Sequence, residues 1–196
     1  MVSDAPSPWN IANLVTMIRI VMVPFFAWAL LAEGGDDTTW RLIATAIFVV
    51  AAVSDKVDGY LARSRGLITD LGKLLDPIAD KLLVGAALIL LWVPLDEVPW
   101  WIPVVILVRE LGITFMRMGM LKYEVMPASR GGKLKTVLQT VAISLFLLPR
   151  DGLDWLTVIA WIVLTAAFVL TVVTGLEYMY QGWKIRRDAR AKVSST

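Results

Sequence analysis

Long apolar stretches separated by short polar breaks run along the whole 196-residue chain. A helix that crosses a lipid bilayer needs about 20 mostly apolar residues. Six stretches satisfy this requirement, and the breaks between them carry the glycine, proline and charged residues that are typical of turns. The pattern therefore predicts an all-α integral membrane bundle, one domain over residues 1–196, with six transmembrane helices. These helices are predicted over residues 12–33, 40–62, 73–95, 99–121, 132–149 and 154–182.

Composition supports a membrane protein and excludes several kinds of site. Hydrophobic residues make up 58% of the chain, and the mean hydropathy is +0.69. Apolar residues are about 45–50% of an average soluble domain, so a soluble all-helical core is the disfavoured alternative. The chain has no cysteine and no histidine. Zinc sites built from thiolates or imidazoles, cysteine nucleophiles, histidine bases and disulfides are excluded.

Lysine and arginine are concentrated at one set of predicted helix ends, and acidic residues at the other. By the positive-inside rule, this alternation predicts that both termini and the even-numbered connections face the cytoplasm. Residues 1–10 lack the basic start of a signal peptide, and we expect them to form a short interfacial segment with Trp9 at headgroup level; a disordered terminus is the alternative. The basic positions are Arg63, Arg65, Lys73, Arg117, Lys122, Arg130, Lys133, Lys135, Lys184, Arg186, Arg187, Arg190 and Lys192.

Four aspartates lie at the predicted cytoplasmic ends of the second and third spans. Asp55 and Asp58 are three residues apart, and Asp76 and Asp80 are four apart, so each pair shares one helix face. The short connection makes the two helices antiparallel neighbours, so the four carboxylates can converge. Ionisable groups at membrane depth usually mark a polar cavity with partners. We therefore expect a functional site here.

Converging carboxylates repel one another unless cations lie between them. A set of oxygen ligands selects Mg²⁺, Mn²⁺ or Ca²⁺ over zinc or copper. Mg²⁺ is commonly shared between carboxylates and substrate phosphates, so the cluster indicates a phosphate-bearing substrate. The structural alternative is a salt-bridge cluster formed with Lys56, Arg63, Lys73 and Lys81.

The spacing of these residues resembles the signature of a known family. From Asp55 to Asp80 the chain reads D-x-x-D-G-x-x-A-R, eight residues, then G-x-x-x-D-x-x-x-D. This is similar to the motif of the CDP-alcohol phosphatidyltransferases, which move a phosphatidyl group from a CDP-linked lipid to an alcohol. The resemblance implies six spans with cytosolic termini, a homodimer in a bacterial inner membrane, and two Mg²⁺ or Mn²⁺ ions held by the four aspartates, with Asp80 also acting as general base. It implies contacts to CDP-diacylglycerol from Asn13, Thr16, Gly59, Ala62, Arg63, Thr69 and Gly72.

Taken singly, most of these contact residues have structural alternatives. Gly59 and Ala62 would leave a helix face open to a nucleotide, but helix packing also explains them. Gly72 would let two helices approach closely. Arg63 offers a planar fork to a diphosphate, yet it also fits the positive-inside pattern. Only their joint spacing favours substrate binding.

Three further segments resemble the family members whose acceptor is sn-glycerol 3-phosphate. They are Asn10–Thr16 followed by Arg19, then Leu75–Lys81, and then Arg109-Glu110 with Gly132–Thr136 and Gln139. Ala12 departs from the usual N-I-P-N opening of the first segment. The resemblance implies that CDP-diacylglycerol and glycerol 3-phosphate give phosphatidylglycerophosphate and CMP. Phosphatidylglycerol or an inositol phosphate is the alternative acceptor.

A phosphorylated acceptor needs cations near the metal site, and we expect Arg109, Arg117, Lys133 and Lys135 to bind its phosphate. The last three also fit the positive-inside pattern and contact with anionic lipid, and Arg109 also fits an ion pair with Glu110. A divalent-cation transporter is the alternative from a different class of protein. It is disfavoured because the aspartates lie at one end of the spans, where Arg63 would repel a cation.

Overall fold

The computed structural model describes residues 11–64, 70–120 and 130–194. The side chains of 11–12, 55–64, 70–77, 80, 130 and 188–194 lie outside the description. Within the described ranges the chain is helical and contains no strand, so the prediction of an all-α fold with six helices is confirmed. The helices are α1 (Ile11–Leu31), α2 (Thr38–Ser64), α3 (Asp70–Trp92), α4 (Trp101–Met120), α5 (Arg130–Leu147) and α6 (Asp154–Ser194).

The connection between α1 and α2 shows why this chain turns where it does. A short 3₁₀ turn, Ala32–Gly35, follows α1, and Gly35 has φ +86°. A β-carbon at Gly35 would meet a methyl carbon at the end of the flexible Leu95 side chain, so it is chiefly the positive φ that favours glycine there. The carboxylate of Asp37 accepts a hydrogen bond of 2.9 Å from the backbone N–H of Trp40 and caps the start of α2.

The helices pack around one main hydrophobic core. Helix α1 contacts α2 and α3, while α5 contacts α6 and α2, and α4 contacts α6 and α3. Phe26 and Phe48 join α1 to α2 with ring centres 5.7 Å apart. Phe146 meets Trp161 edge-to-face at 5.3 Å and joins α5 to α6. A smaller cluster of buried residues between α4 and α6 contains Ile113, Met120 and Tyr178.

The outer surface of the bundle is also apolar. Phe115, Val108 and Ile162 are 67%, 66% and 63% exposed, which a protein in water would not favour over so many positions. Two segments, Asn13–Gly35 and Asp154–Arg187, are long and apolar enough to cross a bilayer. These observations agree with the prediction of a helical membrane protein.

Helix α6 is longer than the sixth predicted span, which ended at residue 182. It has 41 residues, and at about 1.5 Å per residue its length is about 60 Å. The hydrocarbon core of a bilayer is only about 30 Å thick, so α6 has residues to spare beyond one crossing. The segment after Gly182 contains no glycine or proline and is rich in lysine, arginine and alanine. These residues favour helix, and they explain why α6 continues.

At the end of the bundle where α2 begins, a carboxylate bridges two arginines. Arg41 of α2 donates to Glu97 Oε1 at 2.8 Å, and Arg150 donates to Glu97 Oε2. Arg41 also donates to the carbonyl oxygens of Phe146 at 2.9 Å and Leu147 at 3.3 Å. Arg41 thus provides hydrogen-bond donors for the free carbonyl groups at the end of α5. The bridge also connects this end to α2 and to the segment between α3 and α4.

Candidate functional site

The acidic motif lies on two helices that contact each other. Asp55 and Asp58 are in the last three turns of α2, and Asp76 and Asp80 are in the first three turns of α3. Helices α2 and α3 pack together, and α1 packs against both. The aspartate side chains lie outside the described residues, so their convergence stays a prediction. The backbone nevertheless places all four at the same end of the bundle.

The chemistry of this donor set fits a hard divalent cation. Each pair of aspartates has the spacing that puts two carboxylates on one face of a regular helix. Carboxylate oxygens are the ligands that Mg²⁺ and Mn²⁺ prefer. The residues present therefore suit the metal ions that the resemblance implies.

The predicted contacts to CDP-diacylglycerol fall into two groups. The first consists of motif residues outside the described side chains: Gly59, Ala62 and Arg63 on α2, Gly72 on α3, and Thr69, which lies outside the described residues altogether.

The second group lies on α1 and is described in full. Asn13 and Thr16 are buried, with 3% and 1% of their surfaces exposed, and Arg19 is 2% exposed. Their spacing of three residues places them on one helix face, and each has an interaction partner. Sequence analysis gave Arg19 no role of its own. Its signal is that a charged residue in an apolar span is expensive and usually functional.

A small basic cavity opens between α3, α4, α5 and α6. Its volume is about 260 Å³. The lining residues include four cationic side chains and one carboxylate, so the cavity suits an anion of small size. The described lining residues are Lys81, Arg109, Glu110, Ile113, Thr114, Arg117, Gly132, Lys133, Thr136 and Tyr178. We call this site the basic cavity.

Arg109 is held at the cavity wall by groups from two helices. Its Nη1 lies 3.2 Å from Glu110 Oε1, and its Nη2 donates to Thr174 Oγ1 of α6 at 2.8 Å. The guanidinium carbon is 5.8 Å from the ring centre of Tyr178. Gly175 allows this approach, because a β-carbon there would lie 3.1 Å from Arg109 Cγ. Arg109 therefore forms an ion pair and lines the cavity at the same time.

Three of the four predicted acceptor residues line the basic cavity: Arg109, Arg117 and Lys133. Lys135 is not among the lining residues. Its side chain is only 4% exposed, and its ammonium group is bound to Glu110. The structure thus places Lys135 behind the cavity wall, one contact away from the predicted phosphate site.

The cavity also contains residues that sequence analysis did not assign to the acceptor. Lys81 of α3 lines the cavity and directly follows Asp80 in the chain, so the cavity and the last aspartate of the motif are at the same level of α3. Thr136 is one helical turn from Lys133, and Thr114 is one turn from Glu110. Helical spacing from the predicted residues was the signal that could have found both threonines.

Comparison with known proteins decides the family. Residues 9–173 match the model of the CDP-alcohol phosphatidyltransferase family. The chain belongs to this family. The prediction made from the motif is confirmed, and with it the prediction that the chain is a transferase enzyme.

Several bacterial members of the CDP-alcohol phosphatidyltransferase family are similar over most of their length. A Mycobacterium tuberculosis protein named "Probable phosphatidylglycerophosphate synthase" is 50% identical over 170 residues, which are 87% of this chain and 80% of that protein. A Bacillus subtilis protein named "CDP-diacylglycerol--glycerol-3-phosphate 3-phosphatidyltransferase" is 38% identical over 187 residues, covering 90% and 96% of the two chains. A Shigella flexneri protein of the same name is 35% identical over 178 residues, covering 87% and 93%.

Proposed function

We propose that this chain transfers the phosphatidyl group of CDP-diacylglycerol to sn-glycerol 3-phosphate, giving phosphatidylglycerophosphate and CMP. The observation that carries the proposal is the basic cavity, which is lined by Lys81, the residue that follows the last aspartate of the family motif. The names of the Mycobacterium, Bacillus and Shigella relatives agree with this reaction.

The size and charge of the cavity favour a small phosphorylated alcohol. Lys81, Arg109, Arg117 and Lys133 supply four positive charges around about 260 Å³. The Glu110 carboxylate offsets one of these charges. A dianionic phosphate would offset two more, whereas a neutral or cationic alcohol would leave the cluster repulsive. A lipid acceptor such as phosphatidylglycerol would need apolar surface for its chains, and Ile113 is the one aliphatic side chain among the described lining residues. An inositol phosphate would meet the same charges, but the named relatives favour glycerol 3-phosphate.

Asp55, Asp58, Asp76 and Asp80 would hold two divalent cations, either Mg²⁺ or Mn²⁺. When bound, these ions would neutralise the diphosphate of CDP-diacylglycerol and the charge that develops on the leaving CMP. Arg63 would add a bidentate contact to the same diphosphate. Gly59, Ala62, Thr69, Gly72, Asn13 and Thr16 would form the surface on which the CDP group lies.

The reaction then requires one proton to move. The hydroxyl of glycerol 3-phosphate attacks the lipid-side phosphorus, and the bond from that phosphorus to the CMP oxygen breaks. The chain has no histidine, so a carboxylate, a lysine or a metal-bound water must take the hydroxyl proton. The family resemblance gives this role of general base to Asp80. Asp80 and the cavity residue Lys81 are consecutive on α3, which supports binding of the acceptor phosphate in the basic cavity at the same level of the bundle as the motif.

We also propose that all six helices cross a bacterial inner membrane, with both termini and the active site on the cytoplasmic side, and that the enzyme is a homodimer. Each of the six described helices has at least 18 residues. The charge alternation of the connections supports the orientation. The homodimer rests on the family resemblance.

The proposed reaction is tested by supplying acceptors in parallel to the purified enzyme with CDP-diacylglycerol and measuring CMP release. Glycerol 3-phosphate, inositol 3-phosphate and phosphatidylglycerol are compared, each with and without a chelator. We expect metal-dependent release of CMP with glycerol 3-phosphate alone. Release that depends on either of the other two acceptors, with none from glycerol 3-phosphate, would contradict the proposal.

A further inference from the structure

Glu110 joins cationic groups from two helices at the wall of the basic cavity. Its Oε1 lies 3.2 Å from Arg109 Nη1 on the same helix, and it accepts a hydrogen bond from Lys135 Nζ of α5. The side chains of Arg109, Lys135 and Glu110 are 12%, 4% and 20% exposed. One carboxylate thus serves two nearly buried cations.

Loss of Glu110 would affect Arg109 and Lys135 differently. An unneutralised charge inside an apolar bundle is costly, and removing one partner of a buried ion pair is strongly destabilising. Arg109 would retain its hydrogen bond to Thr174 and its contact with Tyr178. Lys135 would lose the carboxylate that binds its ammonium group, and it would be drawn toward any anion in the neighbouring cavity.

We propose that Glu110 is a positioning residue for the acceptor. By binding Arg109 and Lys135 together, Glu110 fixes the guanidinium of Arg109 at the cavity wall and keeps the ammonium of Lys135 behind it. The acceptor phosphate is then bound by Lys81, Arg109 and Lys133, with Arg117 beside them, in a fixed arrangement. This inference rests on the proposed function, because it assigns the basic cavity to a phosphorylated acceptor.

The chain contains a matched control for this role. At the other end of the bundle Glu97 also bridges two cations, Arg41 and Arg150, and its side chain is 19% exposed against 20% for Glu110. Glu97→Gln and Glu110→Gln therefore remove the same charge from similar surroundings. Only Glu110 lies at the basic cavity, so a general loss of stability affects both variants and a positioning role affects one.

The test measures KM for both substrates and the thermal unfolding temperature of each variant in the same detergent. For Glu110→Gln we expect KM for glycerol 3-phosphate to rise at least about tenfold, and KM for CDP-diacylglycerol to change less than about twofold. Glu110→Asp keeps the charge and should give an intermediate value. Glu97→Gln should lower the unfolding temperature and leave the ratio of the two KM values as in the wild type.

A double variant keeps the test decisive if Glu110→Gln alone fails to fold. Glu110→Gln with Lys135→Met removes both charges of the pair, so it leaves no buried lysine without its carboxylate. Its KM for glycerol 3-phosphate should still exceed that of the wild type, because Arg109 has lost its carboxylate. If Glu110→Gln, Lys135→Met and the double variant all fold, their KM values for glycerol 3-phosphate can be compared. The fold increase in the double variant should be smaller than the product of the two single increases, since the two residues act through each other.

The outcomes distinguish failure of the proposed function from failure of the positioning role of Glu110. If the wild type releases no CMP with glycerol 3-phosphate, the proposed function fails. If the wild type uses glycerol 3-phosphate but Glu110→Gln leaves its KM unchanged or lower, or raises both KM values equally, the positioning role is refuted. The positioning role would also be refuted if Glu97→Gln raised the ratio of the two KM values as much as Glu110→Gln does. It would be refuted as well if the fold increase in KM for glycerol 3-phosphate in the double variant equalled the product of the two single increases.

Discussion

Gly175 lies where the side chain of Arg109 crosses helix α6, and Gly175→Ala perturbs the wall of the basic cavity, the proposed acceptor site, without removing any charge. The new β-carbon would lie 3.1 Å from Arg109 Cγ, 3.5 Å from Nε and 3.9 Å from Cδ. Non-bonded carbon atoms prefer a separation of about 3.5–4.0 Å. Arg109 must therefore move by roughly half an ångström at Cγ, and the guanidinium at the cavity wall moves with it.

This displacement should appear in the kinetics of one substrate. Arg109 Nη2 is fixed by a bond of 2.8 Å to Thr174, the residue before Gly175, so the side chain cannot shift without stretching that bond or turning the guanidinium. A misplacement of about 1 Å can cost about 100-fold in rate. For half that shift we expect kcat/KM for glycerol 3-phosphate to fall by about three- to tenfold, with KM for CDP-diacylglycerol nearly unchanged.

Gly182→Ala on the same helix is the matched control. Its β-carbon would also meet a side-chain atom at 3.1 Å, the sulfur of Met116. Methionine is flexible and adapts to such a contact, and Met116 does not line the basic cavity among the described residues. Both variants gain about 1 kcal/mol of helix propensity. Equal kinetics for Gly175→Ala, Gly182→Ala and the wild type would refute the placement of Arg109 in the acceptor site.

Three further predictions concern the motif and the topology. Asp55→Asn and Asp76→Asn should each lower turnover by orders of magnitude in assays that require a divalent cation; near-normal rates would remove the metal assignment. Asp80→Asn should abolish turnover while metal-dependent binding of CDP-diacylglycerol largely survives. Parallel loss of turnover and binding would indicate that Asp80 acts mainly as a metal ligand and not as the general base. A cysteine at Arg65 or Glu124, both outside the described residues, should be labelled only from the cytoplasmic side of intact cells; labelling from outside would overturn the orientation.

The positions of the helices could be predicted from the sequence because each break has a local cause. Apolar stretches of about 20 residues gave five helices whose ends agree with the structure to within about three residues. The end of α6 could not be predicted in this way, since hydropathy marks where a helix leaves the bilayer and not where it ends. The basic segment after Gly182 continues the helix by its propensity alone.

The basic cavity was harder to predict from the sequence, because it depends on contacts between distant positions. Lys135 was predicted to bind the phosphate from its charge and location, and no local pattern shows that it pairs with Glu110, 25 residues earlier. Lys81 was weighed as a salt-bridge residue, and only packing of α3 against α4 brings it to the cavity. A charge pattern can place cations at one end of a bundle, but the packing decides which of them line the cavity.

The most direct test of the account follows phosphorus from the acceptor into lipid. The purified enzyme in phospholipid vesicles is given CDP-diacylglycerol, Mg²⁺ and glycerol 3-phosphate labelled at its phosphate, and CMP and extractable label are measured together. We expect one labelled lipid molecule, phosphatidylglycerophosphate, for each CMP, with both products lost on adding a chelator and recovered with Mg²⁺ or Mn²⁺. CMP released without label entering the lipid, or label entering the lipid without CDP-diacylglycerol, would contradict it.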